Sequence, residues 1–439
     1  MVRENRRMSH VENWLAEAIW GLMFTIMKYT IYILLLMTFS SGCTGAVFDA
    51  ISADTDAHAA SVPTSTNDTN ESGDSAVDVP SDVSSDTDSD TPTTDTMSDS
   101  GDSPTDTGLL NFGLLGYAAY PALGVETTTG GEGDLHPITV TSVDEFRIAI
   151  NEKGEEPRII MVEGRLSSPD VGRILMQRIS DISIIGKGDG AELDGVGLSL
   201  LEVSNVIIRN LKIHHVETDD KDAIRIWNGS HHIWIDHCEF QNAGPLIKDN
   251  YDGLVDITHA ADYITISWSW FHDNLQGMLV GHSDDNAEED EGTLHISYHH
   301  NRIQRVGAGA PVVRFGSIHI WNNQYIDILD SSIEYVTGLG VIARVGSCVT
   351  VEESIFQNVD YPIVTDFSGE TDLRGAVNLR NNAYNDSVEV HTSPTCYPDI
   401  PYEYESSLVG LDNLDSVLNA GVGVGKVTFE SQPKEGFGF

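Results

Sequence analysis

One eight-residue pattern recurs through the chain from about residue 180 onward, apolar at its first, third and eighth positions. Its clearest copies are Ile233–Phe240, Ile264–Phe271 and Ile318–Tyr325. Others run from Val206 to Ile213, Val349 to Phe356 and Val377 to Tyr384, and a weaker one from Leu294 to Asn301 is polar at the eighth position. Alternation of period two is a strand signal, because successive side chains on a strand point to opposite faces. The copies start 27, 31, 30, 24, 31 and 28 residues apart, separated by segments rich in Gly, Asp, Asn and Ser. A short strand cannot bury its apolar face alone, so repetition at this period predicts stacked coils. A propeller would need four strands per blade and about 40 residues per repeat, and a sandwich would keep no such period. The expected fold is therefore all-β, a right-handed single-stranded parallel β-helix. Asn210, Asn322, Asn323, Asn381 and Asn382 fall near the end of the strand pattern. There they can hydrogen-bond to their equivalents in the coils above and below and satisfy turn amides.

Composition divides the chain into three parts. Residues 44–108 hold 15 Asp+Glu and no Lys or Arg in a matrix of Ser, Thr and Pro, a mixture that cannot bury a core and is expected to be a disordered linker. Ahead of it, Lys28 precedes the apolar run Ile31–Phe39, and Ser40, Ser41 and Gly42 lead into Cys43. A basic region, a short apolar region and a small-residue cleavage zone read as a secretory signal over 1–43, with Met27 an alternative start that would make 1–26 an upstream extension. A Cys at that place implies a lipoprotein-type signal, with Cys43 lipidated and the protein secreted to, or held at, a bacterial cell surface. Residues 109–439 are left for one folded domain, long enough for a sizeable core, and a monomer is expected.

The balance of 68 Asp+Glu against 24 Lys+Arg, a formal charge of −44, excludes nucleic acid as a partner, since nothing could neutralise a phosphate backbone. Membrane contact is expected only through the lipid anchor. Cys238 sits in an apolar strand run, so in an exported chain Cys348 and Cys396 are the better candidates for a disulfide.

Several motifs stand in a fixed order. They are Gly116-Tyr117-Ala118, Thr129-Gly130-Gly131, Asn205 to Asn210, Trp234-Ile-Asp-His237, Asp252-Gly-Leu-Val-Asp256, Met278-Leu-Val-Gly281, His299-His-Asn301 and Pro311-Val-Val-Arg-Phe-Gly316. In these residues the chain resembles the pectate lyase family of extracellular polysaccharide lyases, over nearly all of 114–400. The resemblance implies a parallel β-helix that binds an acidic uronate polysaccharide through Ca²⁺ and cuts it by β-elimination. A base removes the proton beside the carboxylate while the neighbouring glycosidic oxygen leaves. Carried over from the family, Asp222, Asp252 and Asp256 are Ca²⁺ ligands, with Asp220 a fourth candidate; hard carboxylate oxygens suit that ion. His237 and His300 are expected to be hydrogen-bonded structural residues rather than bases.

The basic half departs from the family. Gln276 stands where the family has a substrate-contacting Lys, and Gly309 where it has the catalytic Arg, while the second Arg of that motif is kept as Arg314. A Gly cannot take a proton, and a Gln cannot pair with a carboxylate as an ion. Arg305, Arg302 and Lys248 are candidates to fill the gap, Arg305 as a relocated base and Lys248 as a substrate contact. Two readings follow: a Ca²⁺-assisted lyase with a changed base, or a non-catalytic polysaccharide-binding or surface-display β-helix. A glycoside hydrolase would need paired carboxylates bracketing a sugar bond, and nothing beyond the Ca²⁺-type acids proposes such a pair.

Overall fold

A computed structural model describes residues 112–167, 172–217, 221–242, 251–330, 337–366, 371–387 and 394–428. The signal, Cys43, the linker, Asp220 and Lys248 lie outside the described residues. Within them the strands run parallel from coil to coil and form the predicted parallel β-helix. A ten-stranded sheet runs from Ile138–Val140 to Ala376–Arg380, and a larger 17-stranded sheet wraps the rest of each coil.

The eight-residue pattern is a corner and not one strand. In Ile233–Phe240 the first and third positions lie on the strand His231–Asp236, and the eighth lies on the next strand, Glu239–Gln241. Between them the fifth position turns in the left-handed region in each of the seven copies: Asn210, His237, Trp268, His300, Asn322, Glu353 and Asn381 have φ of 45–60°. Asn and His tolerate that conformation better than most residues. The turn throws the eighth side chain back inside, where Phe240 stacks on Phe271 at 4.9 Å and Phe356 stacks between Tyr325 at 4.4 Å and Tyr384 at 5.4 Å.

The weaker copy is displaced by two residues. Ile296, not Leu294, lies level with Ile264 and Ile318, so the true copy is Ile296–Ile303 and is apolar at its eighth position. The sixth position is Leu211 and Cys238 in the first two copies and is polar from the third copy onward. Asn301 accepts a hydrogen bond from the Ser269 amide at 2.9 Å and donates to the Ile266 carbonyl at 2.9 Å. Asn323 accepts from the Asn301 amide at 2.7 Å, and Asn382 from the Ser354 amide at 3.0 Å. The predicted ladder therefore joins side chain to main chain of the next coil, with Ser269 and Ser354 filling rungs where Asn is missing.

Cys348 and Cys396 form the disulfide expected of them, and Cys238 is a free, buried thiol. The helix Val143–Asn151, capped by Ser142 through the Glu145 amide at 3.3 Å, buries Phe146 and Ile150 in the core at the amino-terminal coils. The outer face of the ten-stranded sheet is covered by chain. The Tyr117 amide donates to Ser297 at 2.9 Å, the Ala118 amide to Thr265 at 3.1 Å, the Thr129 amide to Asn205 at 2.7 Å and the Gly131 amide to Ser183 at 2.9 Å. Tyr402 reaches the same row from the other end, 2.8 Å from Ser297 Oγ. The helix Leu411–Gly421 packs Leu414 and Leu418 against Trp268 and Ile355. These coverings leave a different face for a ligand.

Candidate active-site groove

That face is carried by the strands Arg173–Gln177, Gly197–Leu201, Ile224–Trp227, Val255–Ile257, Met278–Val280, Val312–Val313, Leu339–Ala343 and Tyr361–Val364. Alternation sends Ile224, Ile226, Val255, Ile257, Met278, Val280 and Val313 into the core. The residues between them form one row across the coils, in order Leu175, Ser199, Arg225, Asp256, Leu279, Val312, Ile342 and Val364. The row is charged in the middle coils and apolar after Asp256.

Asp222, Asp252 and Asp256 collect around Gly253. The Gly253 amide donates to Asp222 Oδ1 at 3.1 Å, and a side-chain carbon on Gly253 would fall 2.0 Å from Asp256 Oδ1. The glycine is thus required there, because the Asp256 carboxylate fills the space of its missing side chain. Asp256 Oδ1 also accepts from the Leu279 amide at 3.3 Å. Asp252 is tied through its main chain, its amide to the Lys221 carbonyl and its carbonyl to Asn274 Nδ2 at 2.7 Å. Asp222 and Asp256 thus both reach Gly253 with carboxylate oxygens, and hard oxygens of that kind are the ligands Ca²⁺ takes.

Cations missed in the sequence stand next to these acids. Arg225 is level with Asp256 in the next coil, its guanidinium 4.5 Å from the centre of the Trp227 ring. Arg173 and Lys221 line one small pocket with Asp222 and Arg225. Alternation in Ile224-Arg-Ile-Trp227 was the available signal, since it puts Arg225 and Trp227 on the outward face.

The changed positions are neighbours. Gln276 pairs with Ala308 across the coils, and the Met278 amide donates to the Gly309 carbonyl at 2.7 Å. Gly309 has φ of 76°, a left-handed backbone that suits glycine, and a side-chain carbon added there would meet Val312 Cγ2 at 2.7 Å.

The retained arginines are engaged. Arg314 Nε donates to Asp284 Oδ1 at 2.8 Å, and Arg344 Nε donates to the same oxygen at 3.0 Å. Burial pushes the Asp284 carboxyl up, but the hydrogen bonds from Arg344 and Arg314 outweigh it and hold it below the usual carboxylate range. Burial also draws the Arg314 guanidinium down. Asp284 lies between the strands Met278–Val280 and His295–His299, so the segment joining them orients the arginine that follows Pro311. Arg305 donates through Nε and Nη2 to the two oxygens of Asp273, at 2.6 and 2.7 Å. Arg302 reaches away to Gln324 and Asn419, each at 2.9 Å.

His237 and His300 are buried among aromatic rings. His237 lies 4.6 Å from Phe112 and His300 4.4 Å from Trp268, centre to centre, and burial pushes His300 down to about 3. They are part of the corner, as expected.

Relatives share this plan. The family model described as pectate lyase matches residues 114–427. Pectate trisaccharide-lyase of Bacillus licheniformis is 37% identical over 323 residues, covering 73% of this chain and 88% of its own length. Probable pectate lyase B of Aspergillus oryzae is 38% identical over 261 residues, 57% of this chain and 74% of its own. A pectate lyase from Bacillus sp. N165, solved in complex with trigalacturonate, matches with a TM-score of 0.63 and 31% identity over 71% of this chain and 99% of that one. Pectate lyase II of Xanthomonas campestris pv. campestris, at 23% identity and a TM-score of 0.60 over 72% and 99%, shares the fold. With a match running from the first ordered motif through the last coil, the chain belongs to the pectate lyase family.

Proposed function

We propose that the protein binds an acidic uronate polysaccharide along the Arg225–Val312 part of the row and acts on it by Ca²⁺-assisted β-elimination, outside the cell and tethered through Cys43. The convergence of Asp222 and Asp256 on Gly253, with Arg225 beside them, carries the reading. Asp222, Asp252 and Asp256 would hold the ion, with Asp220 as a further candidate. Bound Ca²⁺ would neutralise a substrate carboxylate and so acidify the proton beside it. Arg225 offers a guanidinium fork to a second carboxylate, and Arg173 and Lys221 extend the positive edge. Leu279 and Val312, both half-buried, offer apolar contact to sugar faces further along.

Proton removal is the weak step. Gly309 supplies no acceptor, and Gln276 supplies a neutral amide where the family has a cation. Loss of a positioned base typically lowers a rate about 10²–10⁴-fold, so turnover on polygalacturonate is expected to be slow and Ca²⁺-dependent. The test is ultraviolet absorbance of unsaturated uronate product, with Ca²⁺ and with chelator. Product that forms equally fast in chelator would reject the Ca²⁺ assignment. No product, with retained binding to the polymer, would make this a binding protein on a lyase scaffold.

A further inference from the structure

Away from the groove-facing row, the register of the coils sets two imidazoles on one carboxylate. Asp194 and His214 are partners on the adjacent strands Ala191–Asp194 and Leu211–His214. His215 follows at once, turned by a left-handed φ of 56°, and so faces the same acid. His215 Nδ1 is 2.8 Å from Asp194 Oδ1, His214 Nδ1 is 3.3 Å from it, and the two Nδ1 atoms are 2.9 Å apart.

Protons cannot satisfy this triangle. An ionised carboxylate only accepts, and each neutral imidazole carries one proton on one nitrogen. If both Nδ1 atoms are protonated and point at Asp194, two donors face each other across the third edge. If one imidazole donates to the other, the acceptor presents a lone pair to Asp194. One cation at the centre makes all three edges favourable. The other atoms are arranged accordingly. Asp194 Oδ2 is occupied by Arg165, whose Nε is 3.1 Å away, which leaves Oδ1 for the centre. His214 Nε2 is buried without a hydrogen-bond partner and is aimed at Glu192 Oε2, 3.5 Å away. A metal-bound imidazole commonly directs its second N–H at a carboxylate in this way.

We propose that Asp194, His214 and His215 form a site for a zinc-type divalent transition metal, separate from the Ca²⁺ ligands. Two nitrogens and one oxygen suit Zn²⁺ and its neighbours, whereas Ca²⁺ takes six to eight oxygens. Bonds of about 2.0–2.1 Å place ligand atoms roughly 3.0–3.4 Å apart around a common ion. The triangle therefore closes on a metal by shifts of a few tenths of an ångström. The His214 side chain is 6% exposed and that of His215 33%, so solvent reaches the remaining coordination position. The ion ties the strand Leu211–His214 to the strand Ala191–Asp194 and so fixes one coil to the next.

The test is calorimetric titration of the chelator-treated full chain with Zn²⁺, alongside His215→Ala and Asp194→Asn, with circular dichroism to confirm folding. The expected result is one tight Zn²⁺ equivalent in wild type, weakened at least tenfold in each folded variant, with Co²⁺ giving a visible absorption band in wild type alone. Equal Zn²⁺ stoichiometry and affinity in wild type and either folded variant would overturn the site. So would displacement of the metal by an equal concentration of Ca²⁺. Neither result bears on groove activity, which is read separately as unsaturated product.

Discussion

Two stretches of the same groove differ in what they keep. Around Gly253 stand the acids proposed to hold Ca²⁺, a glycine that makes room for Asp256, and cations from Arg225, Lys221 and Arg173. One coil further at Gln276 and two coils further at Gly309, both groups expected to touch the scissile unit are gone, and the row turns apolar with Leu279, Val312 and Ile342. The coil geometry beneath is the same in both. On the proposed function, binding and proton transfer are separable, because each is assigned to different side chains on the same frame.

The largest effect is expected in the first stretch. Asp252→Ala should abolish saturable Ca²⁺ binding in calorimetry and, with it, any elimination activity, while the circular dichroism spectrum is unchanged, because the core is built by the inward row. Equal binding in wild type and mutant would break the comparison, since the acids would then be only surface charge.

The second stretch is addressed by restoring its cations. Gly309→Arg with Gln276→Lys should raise turnover on polygalacturonate, up to the roughly 10²–10⁴-fold that a positioned base supplies. The gain has a structural cost. A left-handed backbone costs an L residue about 1–2 kcal/mol, and the new side chain must displace Val312 Cγ2. A lower melting temperature together with a higher rate would sharpen the comparison. A lower melting temperature with no gain in rate would show that the Gly309 backbone no longer aims a side chain at the substrate.

A third expectation concerns the frame that both stretches share. Burial pushes His300 from 6.5 down to about 3 in the fold, so between those values the unfolded chain binds a proton that the native chain does not. Stability then rises with pH across that window. The His300 contribution is intact above about 6.5 and is lost progressively as the solution is acidified toward 3. Melting temperature against pH should show this slope, and His300→Gln should flatten part of it. A flat profile in wild type would remove the buried neutral histidine from the account.

The contrast also marks what could be read in advance. Six of the seven pattern copies were in true register, because the inward positions must be apolar. Leu294 misled because a buried Leu precedes the real start at Ile296, and apolar identity alone cannot distinguish a strand residue from the turn before it. The motif singled out Asp222, Asp252 and Asp256 as candidates, and the structure brings Asp222 and Asp256 to Gly253. Arg225 was hidden in plain alternation, as nothing local distinguishes an outward Arg on a groove from one on any other face. The partners of Arg314 could not be read either, since Asp284 and Arg344 stand 30 and 60 positions apart from Arg314 and from each other and meet only through coil stacking.

The smallest effect expected is that of Arg305→Ala. Arg305 sits at the left-handed corner of its coil, φ 51°, beside Asp273 at 54° in the preceding coil and Asp327 at 54° in the next. Its hydrogen bonds and charge pairing with Asp273 raise its pKa above that of an ordinary arginine, which makes it harder to deprotonate and so a poorer base. An exposed ion pair of this kind contributes about 0.2–1 kcal/mol, so the variant should melt only slightly lower. Its turnover should stay within about twofold of wild type. If turnover instead fell by tenfold or more with the melting temperature barely changed, Arg305 would have to leave Asp273 in the complex and act on the substrate. The deficit at Gly309 would then be made good from the neighbouring corner, and the two stretches of groove would no longer differ in kind.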